Sequence, residues 1–223
     1  FIDTHVHGAG GADAMDGTLD ALGAIADTLA REGTARFCAT TMTQSKDNTL
    51  AALAAVKAYR AQNRSDGAAI IGVHLEGPFL SDKRAGAQPR EYIVKPDIAL
   101  FDEYSRASGG CVKQITIAPE TDGAYELIRH ASARGVVCSI GHSDATYAEA
   151  RRAAECGARC VTHTFNAQSP FTHREAGVVG AALLTDATYA ELIADGIHVS
   201  VPAIKLLLKN KPTDKLVLIT DSI

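Results

Sequence analysis

An alternation along the chain narrows the folds open to it. Eight short apolar runs rich in Val, Ile and Thr are separated by stretches whose apolar residues fall at helical spacing. The runs span 1–7, 35–41, 69–75, 112–118, 136–140, 159–164, 189–197 and 216–220, and helices are predicted over 19–31, 49–62, 98–107, 124–134, 145–156 and 202–209. This is the pattern of βα units around a parallel sheet. Gly33, Gly135 and Gly157 follow three of the predicted helices, where a left-handed residue ends a helix without steric cost. The stretch 166–188 follows neither period and carries Pro170, Arg174 and Gly177, so it reads as a long loop with at most one helical turn.

Eight such units fit an α/β fold of the (β/α)8 TIM-type barrel, and the pattern alone also allows a doubly wound open sheet. The residues just after the first run speak against the open sheet. Gly8, Gly10 and Gly11 approach a dinucleotide-binding fingerprint, but they come after two histidines and lead into Ala12 and Asp13. A length of 223 residues with 46% hydrophobic and 22% charged residues supports a packed core and gives disorder no basis. With 22 Lys plus Arg against 26 Asp plus Glu, a net charge of -4 and no basic stripe, nucleic acid is not an expected partner. No apolar run approaches the roughly 18 residues of a membrane span, so no membrane partner is expected either. Cys38, Cys111 and Cys138 lie within strand runs and the five cysteines lack zinc-ribbon spacing, which reads as core thiols in a reducing cytoplasm. Phe1 is not an initiator Met and the chain stops just past an apolar run, so both ends read as cuts through a longer protein.

Polar residues gather where the runs end. His5 and His7 sit two apart, and the two-residue pleat of a strand turns both imidazoles to one face. The third run ends His74-Leu75-Glu76-Gly77-Pro78, the fifth leads into Gly141-His142-Ser143-Asp144, and the sixth carries Thr162-His163-Thr164-Phe165-Asn166. The seventh ends Ala194-Asp195-Gly196-Ile197-His198 and the eighth Thr220-Asp221. In a barrel all these ends open onto one mouth. Buried imidazoles and carboxylates are costly without compensation, and a divalent cation is the natural compensation. Nitrogen and oxygen ligands without thiolates suit Zn first, with Fe(II), Mn or Co(II) as alternatives. Glu76 can offer one oxygen to each of two ions, His5, His7 and Asp221 completing one site and His142 and His163 the other. A metal that lowers the pKa of water and polarises a carbonyl suits amide hydrolysis, with Asp221 taking a proton from water and passing it to the departing amine.

Together with Phe1-Ile2-Asp3-Thr4-His5-Val6-His7-Gly8, these segments resemble the amidohydrolase superfamily, and within it the N-acetylglucosamine-6-phosphate deacetylases. Glu76-Gly77-Pro78 carries much of the likeness, since it provides the bridging carboxylate that many relatives take from a modified lysine; here the fourth run ends Ala118-Pro119-Glu120. The resemblance implies a catalytic barrel over 1–223, without the small β-domain and last helix of full-length members. It implies that Glu76, His142 and His163 hold the principal metal, that His5 and His7 serve a second ion, and that Asp221 is the catalytic aspartate. Ala87, Gln88, Asn166, Ala167, Arg174 and His198 are implied to meet substrate, Arg174 at its phosphate. In some members that contact crosses from a neighbouring subunit, which implies a homodimer. Read without the resemblance, Arg174 is a solvated loop charge, His198 a capped strand end and Asn166 a turn residue.

Two positions depart from the family pattern. Gln88 stands where a histidine that polarises the acetyl carbonyl is common, and it can donate a hydrogen bond but carries no charge. Gln168 replaces a common methionine. The expected activity is therefore metal-dependent removal of acetate from N-acetylglucosamine 6-phosphate. The alternatives are the same chemistry on the galacto epimer, or a non-catalytic phosphosugar-binding or inert truncated product.

Overall fold

The computed structural model describes residues 1–223. The chain enters through β1 (Ile2–Val6) and turns through a small antiparallel hairpin, β2 (Gly8–Ala9) and β3 (Ala12–Asp13). Helices and strands then alternate: α1 (Leu19–Arg31), β4 (Arg36–Thr41), α2 (Lys46–Ala61), β5 (Ala69–Glu76), α3 (Ile98–Ala107), β6 (Val112–Ile117), α4 (Ala124–Ser132) and β7 (Val137–Ile140). After them come α5 (Tyr147–Cys156), β8 (Ala158–Val161), α6 (Gly177–Leu184), β9 (Tyr189–Ile193), α7 (Val201–Asn210) and β10 (Leu216–Ile219). One eight-stranded sheet runs β1-β4-β5-β6-β7-β8-β9-β10, every neighbouring pair parallel.

The two ends of this sheet meet just beyond β10. The Asp221 N–H donates to the His5 carbonyl at 2.9 Å, and the His7 and Gly8 N–H groups donate to the Ser222 carbonyl at 2.9 and 3.0 Å. Thr220 Oγ1 donates to Asp3 Oδ2 at 2.6 Å. The sheet is thus a nearly closed TIM barrel, and the open doubly wound alternative does not apply.

Strand side chains alternate between two environments, as the pleat requires. Phe37, Val73, Leu75, Ile115, Ile117, Ile140 and Val161 join one apolar core with Leu22, Ile25, Leu53, Phe101 and Leu127 of the helices. The other set is polar and buried, and much of it pairs within itself: His74 Nε2 pairs with Thr116 Oγ1 at 2.8 Å, Thr116 Oγ1 with Thr162 Oγ1 at 2.9 Å, and Ser139 Oγ with Thr162 Oγ1 at 2.6 Å. Paired in this way the Thr116, Ser139 and Thr162 hydroxyls are tolerated at depth, whereas His74 Nδ1 and Thr164 Oγ1 find no partner.

Several boundaries differ from expectation. The stretch 166–188 holds a full helix, α6, whose Gly-Val-Val-Gly-Ala-Ala-Leu-Leu sequence is apolar on every side and buried up to Leu183, so it shows no amphipathic period. α2 starts at Lys46 because Ser45 Oγ accepts the Asn48 N–H at 3.3 Å, and a Thr146/Glu149 capping box starts α5 at Tyr147. β8 ends at Val161 and β9 at Ile193, so His163 and His198 lie on turns beyond their strands. The outer side of the β10–β1 junction is thinly covered, with Leu218 67% and Ile2 55% exposed.

Candidate active site

His5 lies within β1 and His7 one residue past it; Glu76 ends β5, and His142, His163 and Asp221 follow β7, β8 and β10 by two residues each. Parallel strands deliver all six to the same rim. Glu76 sits at their centre: its Oε1 lies 3.1 Å from His142 Nε2 and 3.0 Å from His163 Nε2, and its Oε2 lies 3.0 Å from His7 Nε2. Asp221 Oδ1 is 3.1 Å from His5 Nε2 and 3.3 Å from His7 Nε2. The donors form two groups sharing Glu76: His5, His7, Glu76 and Asp221, and Glu76, His142 and His163.

Local backbone strain aims these side chains. His142, His163 and Asp221 have φ of 45°, 27° and 52°, and Phe165 and Ala167 are left-handed as well. Non-glycine residues adopt such angles at a cost of about 1–3 kcal/mol each, and they persist where the surroundings over-determine them. Gly141 permits the turn before His142, because a Cβ there would stand 2.7 Å from Thr162 Cβ and 2.8 Å from Thr116 Cγ2.

The hydrogen-bond pattern assigns the ring tautomers. His142 Nδ1 faces the Arg84 carbonyl at 3.0 Å and His163 Nδ1 faces the Asn166 carbonyl at 3.1 Å, so each Nδ1 carries a proton. Their Nε2 lone pairs then face each other at 3.1 Å with the Glu76 carboxylate beside them. His5 Nε2, buried, has no hydrogen-bond partner, nor has His7 Nδ1. A cluster of converging lone pairs and carboxylate oxygens fits a bound cation. The electrostatics agree. Burial alone would lower His5, but Glu76, Asp221 and Glu191 outweigh it and hold the imidazole well above its ordinary value. For His7 burial is likewise outweighed by Asp221 and Glu76, which bring it to about 9. Burial would raise Glu76 and Asp221, yet the histidines hold both carboxyls well below the usual range. Both carboxylates are ionised, and the site strongly favours positive charge.

A cavity of about 490 Å³ opens over this cluster. Ala87, Gln88, Asn166, Ala167 and His198 line it together with His7, Glu76, His142, His163 and Asp221, while His5 lies beneath. Gln88 is held at both ends of its amide: Oε1 accepts the Thr43 N–H at 2.8 Å and Nε2 donates to Glu76 Oε2 at 2.7 Å. His198 is oriented by Asp195, whose Oδ2 is 2.7 Å from His198 Nδ1. Arg174 is exposed and is not among the lining residues. Sequence reasoning did not single out Met42, Ile193 and Thr220, which also line the cavity, or Glu191, which backs His5 at 3.3 Å. A lone carboxylate inside the apolar run 189–193 was the available signal for Glu191.

The barrel and this rim of histidines and carboxylates define a metal-dependent hydrolase type. Comparison with known proteins makes the class specific: the amidohydrolase family matches residues 1–223, and the chain belongs to that family. It is 47% identical over its whole length to the N-acetylglucosamine-6-phosphate deacetylase of Bacillus subtilis (strain 168), covering 57% of that relative. It is 39% identical over its whole length to the N-acetylgalactosamine-6-phosphate deacetylase of Escherichia coli O157:H7, covering 58% of it. Among solved structures, a mutant N-acetyl-D-glucosamine-6-phosphate deacetylase from Mycobacterium smegmatis in complex with N-acetyl-D-glucosamine-6-phosphate superposes with a TM-score of 0.95 at 32% identity, over 100% of this chain and 57% of that one. The chain thus spans less than two thirds of the length of each. Family membership implies a divalent metal, and the two donor groups are its candidate ligands.

Proposed function

We propose that residues 1–223 form the catalytic barrel of a metal-dependent deacetylase that removes acetate from N-acetylglucosamine 6-phosphate, giving glucosamine 6-phosphate in amino-sugar breakdown. One observation carries this reading. Asp221, an ionised carboxylate, touches both His5 and His7 and also reaches the open cavity. Glu76, His142 and His163 would hold one ion, and His5, His7 and Asp221 with the shared Glu76 a second. Zn is the proposed metal, because the donors are imidazole nitrogens and carboxylate oxygens. When bound, a divalent ion supplies Lewis acidity that lowers the pKa of water and polarises the acetyl carbonyl.

Asp221 takes a proton from water as the water oxygen bonds to the acetyl carbon. It returns that proton to the amide nitrogen as the C–N bond breaks, so acetate and a free amine leave. Asn166, Ala167, Ala87, Gln88 and His198 line the space for the sugar, and a cavity of about 490 Å³ suits a ligand of that size. Arg174 is proposed to fork onto the phosphate. Its exposed position outside the lining of its own chain's cavity supports a homodimer in which it serves the partner's site. Five free cysteines, four of them buried, support a cytoplasmic location.

The test is acetate release from N-acetylglucosamine 6-phosphate and from its galacto epimer, with metal content measured on the same samples. The gluco substrate is expected to turn over faster, in line with the higher identity to the Bacillus subtilis relative. Asp221→Asn is expected to lower kcat by about 10²–10⁴-fold. Full activity in that variant would remove Asp221 from this role, and binding without acetate release would favour a phosphosugar-binding protein.

A further inference from the structure

Beneath the rim lies a buried carboxylate that the reaction does not use. Glu191, on β9, is 1% exposed and has both oxygens engaged. Its Oε1 accepts Gln114 Nε2 at 2.6 Å, and its Oε2 accepts His5 Nδ1 at 3.3 Å and the His163 N–H at 3.4 Å. We propose that Glu191 is a positioning residue that makes the centre a two-ion site, by orienting His5 for metal and supplying the charge that lets a second divalent ion enter beside the first.

The geometry differs among the histidines in a way that singles out His5. His142 and His163 lean on neutral backbone carbonyls, those of Arg84 and Asn166. His5 leans on an anion, which keeps its proton on Nδ1 and leaves the buried, unpartnered Nε2 as the ligand atom facing Asp221 and Glu76. A carboxylate behind a ligating imidazole fixes the ring and raises its basicity. Charge balance points the same way. Two divalent ions would bring four positive charges against Glu76 and Asp221, and Glu191 is the third carboxylate in contact with His5. Its second bond, to the His163 backbone, ties the other subsite to the same side chain. Glu191→Gln keeps the volume but removes the charge. It also turns an amide N–H toward a donor, either Gln114 Nε2 or His5 Nδ1 with the His163 N–H.

The inference rests on the metal-centre reading above, and the experiment separates the two. Wild-type protein and Glu191→Gln are dialysed against graded Zn²⁺, and bound metal is measured by elemental analysis. Two equivalents are expected in the wild type. In the variant the first ion stays and the second binds about 10–100-fold more weakly. Equal two-ion loading in both proteins overturns the inference alone; a single ion in the wild type overturns it together with the second-ion assignment above and leaves the Glu76, His142 and His163 site standing; no metal in the wild type overturns the metal-centre reading and this inference with it. A measurement on the wild type stands independently of how well the variant folds. In zinc-loaded protein labelled with ¹⁵N-histidine, His5 is expected to carry a hydrogen-bonded proton on Nδ1 and metal on Nε2. Metal on Nδ1, or an Nδ1 proton without a carboxylate partner, overturns the proposed role.

Discussion

Gln88 illustrates how a single amide ties the rim together. With Oε1 on the Thr43 N–H and Nε2 on Glu76, only one further N–H of Gln88 remains for a substrate. Gln88→Leu would strip the buried Thr43 N–H of its acceptor and Glu76 of a donor. It is expected to cost about 1–3 kcal/mol in urea unfolding and to weaken metal retention. Loss of activity with unchanged stability would instead assign Gln88 to substrate contact alone. The thiols differ in burial and therefore in reactivity. Burial pushes Cys38 and Cys138 up to about 12, so at pH 8 only about one in 10⁴ of either is thiolate, whereas Cys156 is half-buried. In native protein a disulfide-exchange reagent at pH 8 should react first at Cys156, with Cys38 and Cys138 following only on denaturation; mass mapping of the labelled sites decides it. The clustering of the candidate ligand side chains was legible in the sequence because imidazoles and carboxylates recur where apolar runs end. Their orienting partners were not, since the Arg84 and Asn166 carbonyls belong to the backbone and every residue has one.

Elements place these residues through packing that leaves little slack. Gly141 crosses between Thr162 and Thr116 with no room for a methyl group, so Gly141→Ala must push the end of β7 away from β6 and from the residue that follows β8. Overpacking of this kind typically costs about 1–3 kcal/mol. The expected outcome is a lower Tm together with reduced metal retention, because the displaced residue adjoins His142; unchanged values of both would mean that the strands absorb the methyl freely. The strand and helix pattern was legible for the same reason that it is stable: period-two runs face a helical shell and amphipathic helices face the sheet. α6 escaped because it is buried on all sides, which removes the contrast that reveals a helix. The strand end at 161 escaped because the turn beyond it carries strained backbone at His163, Phe165 and Ala167, and the end at 193 because Asp195 Oδ1 accepts the Ile197 and His198 N–H groups and folds the chain into a turn. Sequence pattern fails at the site for that reason, where local preference yields to function.

On the scale of the whole molecule, the same cluster links folding to metal and to pH. In metal-stripped protein His7 sits at about 9 against 6.5 unfolded, a raised value, so its protonation contributes stability in full below pH 6.5 and that contribution is lost as the pH rises through about 9. Glu76 and Asp221 are depressed, so their contribution is present above their unfolded values of 4.5 and 3.8 and is lost only as the pH falls. The stripped cluster is therefore best self-neutralised between pH 4.5 and 6.5. Metal binding has the opposite slope on the alkaline side, because it requires unprotonated imidazoles and gains as protons leave. The Tm difference between zinc-loaded and chelator-treated protein should thus be small near pH 5.5 and widen toward pH 8.5. At zinc about 100-fold above its Kd the stabilisation is about 2.7 kcal/mol for one ion, which for a chain of this length amounts to roughly 5–10 °C. Differential scanning calorimetry at the two pH values measures the gap directly, and a gap that stays constant or narrows with rising pH would mean that protons and metal do not compete for His5, His7, His142 and His163.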